Sequence, residues 1–169
     1  GISGPATHPT LFNHPAGNWS VTTPANNTLT SAAEFIKVNS GVMMAQDVNT
    51  AEVVWLSKVI NISTSGTVYA SAQATEFGVQ AGTDYVRLYY KLDGGAEIQF
   101  GNITDDLATD NSIQTFTSSS VTGNTLQIVA RMRNNGAGDQ HKIDNVFIAA
   151  AGGSVPLIAD LNNPVSAVS

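Results

Sequence analysis

The 169-residue sequence contains no cysteine. Disulfide bonds, thiolate nucleophiles and thiolate metal sites are therefore all excluded. A chain of this length can bury a core of its own without covalent cross-links, so we expect one domain of moderate size.

Charge is scarce as well, and positive charge above all. Charged residues make up 12% of the sequence, and 7 Lys and Arg stand against 13 Asp and Glu, for a formal net charge of -6. Such a chain lacks the overall attraction to phosphate backbones, so we expect no nucleic-acid partner. No apolar run approaches the roughly 20 residues of a membrane-spanning helix, so we expect no membrane insertion. The many Ser, Thr and Asn residues favour a secreted or cell-surface protein.

A helical period is missing too, since no long segment is convincingly amphipathic at 3.6 residues per turn. Apolar residues instead alternate with polar ones, and turn residues recur every 8 to 12 positions or so. We predict strands near 19-22, 33-38, 41-46, 53-60, 66-75, 84-92, 97-100, 113-118, 125-132 and 141-149. This pattern predicts an all-β fold, a two-sheet antiparallel β-sandwich of the jelly-roll type. Pro and Gly at both ends predict a linker or irregular lead-in at 1-17, the domain at 18-151 and a C-terminal linker at 152-169.

Four segments carry a resemblance to known proteins. They are DVNTAEVVWLSKVINIS (Asp47 to Ser63), EFGVQAGTDYVRLYYKLDGG (Glu76 to Gly95), LQIVARMRNN (Leu126 to Asn135) and KIDNVFI (Lys142 to Ile148). The chain resembles jelly-roll accessory modules of secreted bacterial multidomain proteins, and is similar to carbohydrate-binding modules and MAM-type domains. The resemblance implies an accessory, adhesive or sugar-binding unit attached to a catalytic domain or a cell surface.

Polar side chains that alternate with apolar ones on three predicted strands are candidate ligand-binding groups: Tyr69 and Gln73, Arg87 and Tyr89, and Gln127 and Arg131. If the three strands adjoin, these residues share one sheet face. Aromatic rings cover the apolar face of a pyranose, while amide and guanidinium groups bond hydroxyls and the acidic groups of glycans. The alternative is an ordinary solvated face. The apolar residues around Trp55 favour a position in the core for its ring. Trp19 lies in an irregular segment and is a further candidate for sugar stacking.

Calcium is a possible structural cofactor, because jelly rolls can hold their terminal strands with a hard cation bound by oxygen ligands. The resemblance implies that Asp144 contributes, with Glu34, Asp47 and Glu52 in candidate partner segments. The alternative is that Asp144 accepts hydrogen bonds from backbone amides of a neighbouring turn.

Catalysis has little support, since neither an H-E-x-x-H nor a G-x-S-x-G motif occurs. The leading hypothesis is a non-catalytic module of a larger secreted enzyme or surface protein that binds a polysaccharide, with flanking domains of the parent protein as further partners. The alternative is a structural or adhesive spacer of a cell-surface protein that binds no sugar.

Overall fold

The computed structural model describes residues 18-22, 34-48, 52-104, 106-152 and 157-161. Their strands are β1 (Trp19–Thr22), β2 (Phe35–Asn39), β3 (Val42–Gln46), β4 (Val53–Ser57), β5 (Ile60–Asn61), β6 (Val68–Phe77), β7 (Tyr85–Leu92), β8 (Glu97–Thr104), β9 (Gln114–Thr117), β10 (Thr125–Arg133), β11 (Gln140–Ala150) and β12 (Leu157–Asp160). All ten predicted strands are present, and the run predicted at 53-60 is divided into β4 and β5. In the described ranges, no helix has the length and apolar character needed to cross a bilayer.

The strands form two antiparallel sheets. Sheet A has the order β1-β4-β10-β7-β8, with β5 paired to β10, and sheet B has the order β2-β3-β11-β6-β9, with β12 paired to β11. The predicted two-sheet antiparallel β-sandwich is therefore confirmed. β7 and β10 are direct neighbours in sheet A, which determines what their outward side chains can do together.

Period-two alternation places one apolar row of each strand between the sheets. In β7 the buried residues Val86, Leu88 and Tyr90 alternate with the partly exposed Tyr85, Arg87 and Tyr89. The largest fully buried side chains come from both sheets; they include Trp55, Leu88, Ile128, Met132, Met43, Ile143 and Ile148. The favoured core position of Trp55 is confirmed.

The turn between β7 and β8 also follows the sequence. Asp93 and Gly94 both have positive φ, at 50° and 69°, as a tight hairpin turn requires. Asp93 Oδ1 also accepts hydrogen bonds of 2.8 Å from the backbone amides of Asn124 and Thr125. The turn therefore anchors the beginning of β10 beside β7.

Trp19 lies in the core, so the expectation that its ring could be exposed for sugar stacking is wrong. Only 2% of Trp19 is exposed, and its Nε1 donates a 2.7 Å hydrogen bond to the carbonyl oxygen of Leu161. β1 pairs with β4, and its alternation turns Trp19 and Val21 inward. The irregular residues before Trp19 gave no sign of this pairing, which depends on a strand more than 30 residues away.

The β-sandwich continues past residue 151, where the domain was expected to end. β12 pairs with β11, Leu161 is fully buried, and the Leu161 amide donates a hydrogen bond to the Val146 carbonyl. The Gly and Pro residues after Ala151 predicted the start of a linker, but Gly152, Gly153 and Pro156 precede another strand in the sequence. The expected lead-in at 1-17 lies outside the described residues, as do residues 162-169.

A buried polar pair joins β3 to the connection between β10 and β11. Asn134 Nδ2 donates to the Ala45 carbonyl at 3.1 Å, and Asn134 Oδ1 accepts from the Val48 amide at 3.1 Å. His141 is 1% exposed, with Nδ1 3.4 Å from the same Asn134 amide nitrogen. Burial lowers the pKa of His141 to about 4.

Candidate functional site

Four of the six candidate residues on the strand faces come together on the outer surface of sheet A. Arg87 and Tyr89 lie on β7, and Gln127 and Arg131 lie on the adjacent β10. The guanidinium carbon of Arg131 is 5.9 Å from the centroid of the Tyr89 ring. The predicted placement of Tyr89 and Arg131 on one surface is therefore confirmed.

Tyr69 and Gln73 lie elsewhere, because their strand does not adjoin the other two, which was the condition for all six residues to share one face. Both belong to β6, which is part of sheet B between β11 and β9. The sequence pattern of β6 matches that of β7 and β10 because alternation determines which side of a strand is polar. It does not determine the sheet to which the strand belongs.

Strand register arranges the outer surface of sheet A in rows that run across the strands. The central row is apolar: Leu56 on β4, Val129 on β10 and Tyr89 on β7 are successive cross-strand partners. Val129 is fully buried although it faces outward, so its neighbours on the surface cover it. An aromatic ring and two aliphatic side chains thus occupy the middle of this surface.

Cationic side chains lie on either side of the apolar row. On one side Arg131 is the direct partner of Arg87, and beyond them Arg133 is the partner of Tyr85; on the other side Gln127 is the partner of Lys91. We call this surface the arginine face; it comprises Tyr85, Arg87, Tyr89, Lys91, Gln127, Arg131 and Arg133, with Leu56, Val129, Glu52 and Glu97.

Arg131 is engaged by two carboxylates. Its Nε and Nη2 donate to the two oxygens of Glu97 at 3.0 and 2.8 Å, and its Nη1 contacts Glu52 Oε1. The hydrogen bonds to Glu97 are the largest of several causes that raise the pKa of Arg131. Arg131 is therefore not the free guanidinium fork that the sequence suggested, but one half of a charge-compensated cluster.

Tyr85 extends this cluster. Its hydroxyl donates a 2.7 Å hydrogen bond to Glu52 Oε2, and burial together with Glu52 raises the pKa of Tyr85 to about 12. The guanidinium of Arg87 stacks 3.9 Å from the centroid of the Tyr85 ring. The two ion pairs of the arginine face both involve Arg131. Arg87 and Arg133 form no ion pair with a carboxylate of this face, and Lys91 lies opposite Glu97 without an ion pair to it.

Sequence reasoning missed Glu97 as a member of the site and assigned Glu52 to a metal. A signal for Glu97 was present: the tight turn at Asp93 makes β8 the partner of β7, and Glu97 then lies opposite Lys91. No local signal places Glu52 beside Arg131, because the contact joins residues 79 positions apart.

Sheet B has a different outer surface. Tyr69 meets Phe147 edge to face at 6.2 Å, and the side-chain Nδ2 of Asn145 donates a 2.7 Å hydrogen bond to Gln73 Oε1. A groove of about 150 Å³ lies on this sheet; it is lined by Val42, Gln73, Thr75, Ile113, Lys142 and Asp144. We call it the sheet B groove.

The four candidate calcium ligands do not form one set. Glu52 is bound to Arg131 in the arginine face, whereas Asp144 lies on β11 in sheet B and accepts from the Asn145 amide at 2.7 Å. Glu34 is near Asp47, whose pKa is raised first by burial and then by repulsion from Glu34. In the ranges that the structure describes, no group of three or more His, Cys, Asp or Glu is arranged to hold a metal.

Comparisons with known proteins agree on the fold. Neither a scan against protein-family models nor a search of curated proteins finds a match. Among solved structures, the chain is similar to a family 61 carbohydrate-binding module in complex with β-1,4-galactotriose, with 10% identity, a TM-score of 0.54, and coverage of 81% of this chain and 89% of that one. A family 4 carbohydrate-binding module has 14% identity and a TM-score of 0.50, with 80% and 90% covered.

A third similar structure is the K3 cleaved adhesin domain of Lys-gingipain from Porphyromonas gingivalis. It has 8% identity and a TM-score of 0.53, with 82% of this chain and 94% of that one covered. The sandwich described above is thus the fold of carbohydrate-binding modules and of adhesin domains, and the resemblance found in the sequence is confirmed at the level of the fold.

Proposed function

We propose that this protein is a non-catalytic carbohydrate-binding module whose binding surface is the arginine face. The observation that carries the proposal is the partly exposed Tyr89 ring, which lies in a row with the partly exposed Leu56 and the buried Val129. Side chains with several hydrogen-bond donors flank this row on both sides. A pyranose ring has an apolar C-H face and a rim of hydroxyls, so this arrangement matches it in both respects. The fold shared with carbohydrate-binding modules supports the same conclusion.

Each part of the surface has a distinct task in this proposal. The Tyr89 ring provides the platform for the sugar, and Gln127, whose Nε2 donates to the Ser57 carbonyl at 2.8 Å, has a fixed amide plane beside it. Arg131 is held in one orientation by Glu97 and Glu52, so little side-chain entropy is lost when a hydroxyl binds beside it.

The state of the carboxylates supports binding rather than catalysis. Glycoside hydrolysis commonly uses two carboxyl groups that are free to donate a proton and to act as base or nucleophile. On the arginine face, Glu52 and Glu97 are both held by Arg131. A module of this kind serves a larger secreted enzyme or surface protein by raising the local concentration of the attached domain on a polymer.

Affinity electrophoresis in gels that contain a polysaccharide tests the proposal. The first probes are β-1,4-galactan, chosen because a similar structure binds β-1,4-galactotriose, and a panel of neutral and acidic plant and algal polysaccharides. We expect Tyr89→Ala to weaken binding about tenfold, which corresponds to roughly 1.4 kcal/mol.

Tyr69→Ala is the matched control, because Tyr69 is a partly exposed tyrosine on the outer surface of the other sheet. It should leave the retardation unchanged. Loss of binding in Tyr69→Ala but not in Tyr89→Ala would move the site to the outer surface of sheet B. Migration unaffected by every polysaccharide would refute sugar binding and favour the second candidate, a structural or adhesive spacer, for which the fold shared with an adhesin domain is the supporting observation.

A further inference from the structure

The positive charge of this protein is concentrated on the arginine face. Of the 7 Lys and Arg in the sequence, four lie there: Arg87, Lys91, Arg131 and Arg133. The carboxylates of the face are Glu52 and Glu97, so it carries a formal charge of +2 in a chain with a net charge of -6.

This concentration has an energetic cost. Arg87 and Arg131 are direct cross-strand partners, and like charges in that position destabilise a sheet. Both carboxylates are paired with Arg131, and Glu97 also lies opposite Lys91, but neither forms an ion pair with Arg87 or Arg133. Arg87 has the Tyr85 ring instead, and Nε of Arg133 is buried without a hydrogen-bond partner. An acidic protein that keeps uncompensated cations around an apolar row has a surface complementary to a ligand with negative charge.

We propose that the ligand of the arginine face is an acidic polysaccharide, a pyranose polymer with carboxylate or sulfate groups. This inference rests on the proposed function. One sugar ring of the polymer lies over Tyr89, and anionic substituents of the polymer meet Arg87 on one side of the apolar row and Lys91 on the other. The two cations are roughly 13 Å apart along β7, at about 3.3 Å per residue, so they reach acidic groups on different sugar residues of one chain.

The distribution of charge also selects against other polyanions. A nucleic acid or an acidic protein would be repelled by the rest of the molecule, since ten of the 12 Asp and Glu in the described part of the chain lie outside the arginine face. Only a ligand that also gains from the apolar row overcomes this repulsion.

The test compares pairs of polymers that share a backbone and differ in charge. The pairs are polygalacturonate with its methyl ester, and κ-carrageenan with its desulfated form; the first examines carboxylates and the second sulfates. We expect at least one anionic polymer to bind ten times or more tightly than its uncharged counterpart. Arg87→Gln and Lys91→Gln should each weaken that binding several-fold, and Lys37→Gln, which removes a cation from sheet B, should have no effect.

The outcomes separate this inference from the proposed function. Equal affinity for charged and uncharged partners, or binding of β-1,4-galactan alone, would overturn the acidic ligand while sugar binding stands. Poly-L-glutamate bound as tightly as the polysaccharides would also overturn it, because that polymer has carboxylates and no sugar ring. If none of the polysaccharides binds, both proposals fail. Thermal unfolding of each variant verifies that it is folded.

Discussion

Replacing Leu161 by alanine tests whether the C-terminal strand belongs to the domain. Leu161 is fully buried, its amide bonds to Val146, and its carbonyl accepts the indole hydrogen bond of Trp19. Truncating a buried leucine to alanine removes transfer free energy and leaves a cavity, at a cost of about 2 to 5 kcal/mol. For a domain of this size the thermal midpoint should fall by about 2 to 4 °C per kcal/mol, hence by at least 4 °C or so.

Urea unfolding followed by circular dichroism measures this change in free energy. The control is Val79→Ala, because Val79 is 80% exposed and its truncation should cost no more than about 0.5 kcal/mol. Trp19→Phe should destabilise by about 1 to 3 kcal/mol, since it leaves the Leu161 carbonyl without its donor. The two substitutions should not be additive, because the residues are in contact. If Leu161→Ala were as stable as the Val79 control, the segment would not be part of the sandwich, and a domain ending at 151 would be correct.

Two further predictions concern titratable groups. Burial lowers the pKa of His141 to about 4 in the folded protein, whereas in the unfolded chain the imidazole takes up a proton near pH 6.5. The free energy of unfolding therefore decreases as the pH falls from 7, by about 2 kcal/mol at pH 5. Urea midpoints should show a weaker dependence between pH 7 and 5 in His141→Gln, and an identical slope would refute this account. The raised pKa of Asp47 gives stability the opposite dependence on pH, because the charged carboxylate is disfavoured in the folded protein at neutral pH. In calcium-free buffer, Asp47→Asn should therefore raise the thermal midpoint at pH 7, and this gain should shrink as the pH falls toward 4. The same assay tests the calcium ion expected from the sequence: a structural ion would raise the midpoint of the parent protein by mass action, and a midpoint indifferent to calcium and chelator would remove the ion as a ligand.

Local alternation was sufficient to predict much of this structure. In the strands Tyr85–Leu92 and Thr125–Arg133, the alternation of apolar and polar residues predicts which side chains are buried. The turn residues Asp93 and Gly94 predict the β7-β8 hairpin. The position of Tyr89 and Arg131 on one surface follows if these strands are neighbours, which they are.

What could not be predicted depends on contacts between distant parts of the chain. Tyr69 has the same local pattern as Tyr89, but its strand β6 pairs with β11 and β9. The residues near Tyr69 do not indicate which strands β6 pairs with. Trp19 turns inward because of its pairing with β4 and its bond to Leu161. The engagement of Arg131 required the register of three strands at once, together with the register shift between Leu88 and Tyr89 in the pairing of β7 with β8.

The bond between Trp19 and Leu161 has a mechanical consequence. It brings the first and last described strands of the sandwich together, so the polypeptide arrives and departs at neighbouring points. Force applied at these two ends acts first on this hydrogen bond and on the pairings of β1 with β4 and of β12 with β11. The terminal strands can then separate under load before the strands that carry Tyr89 and Arg87 are disturbed.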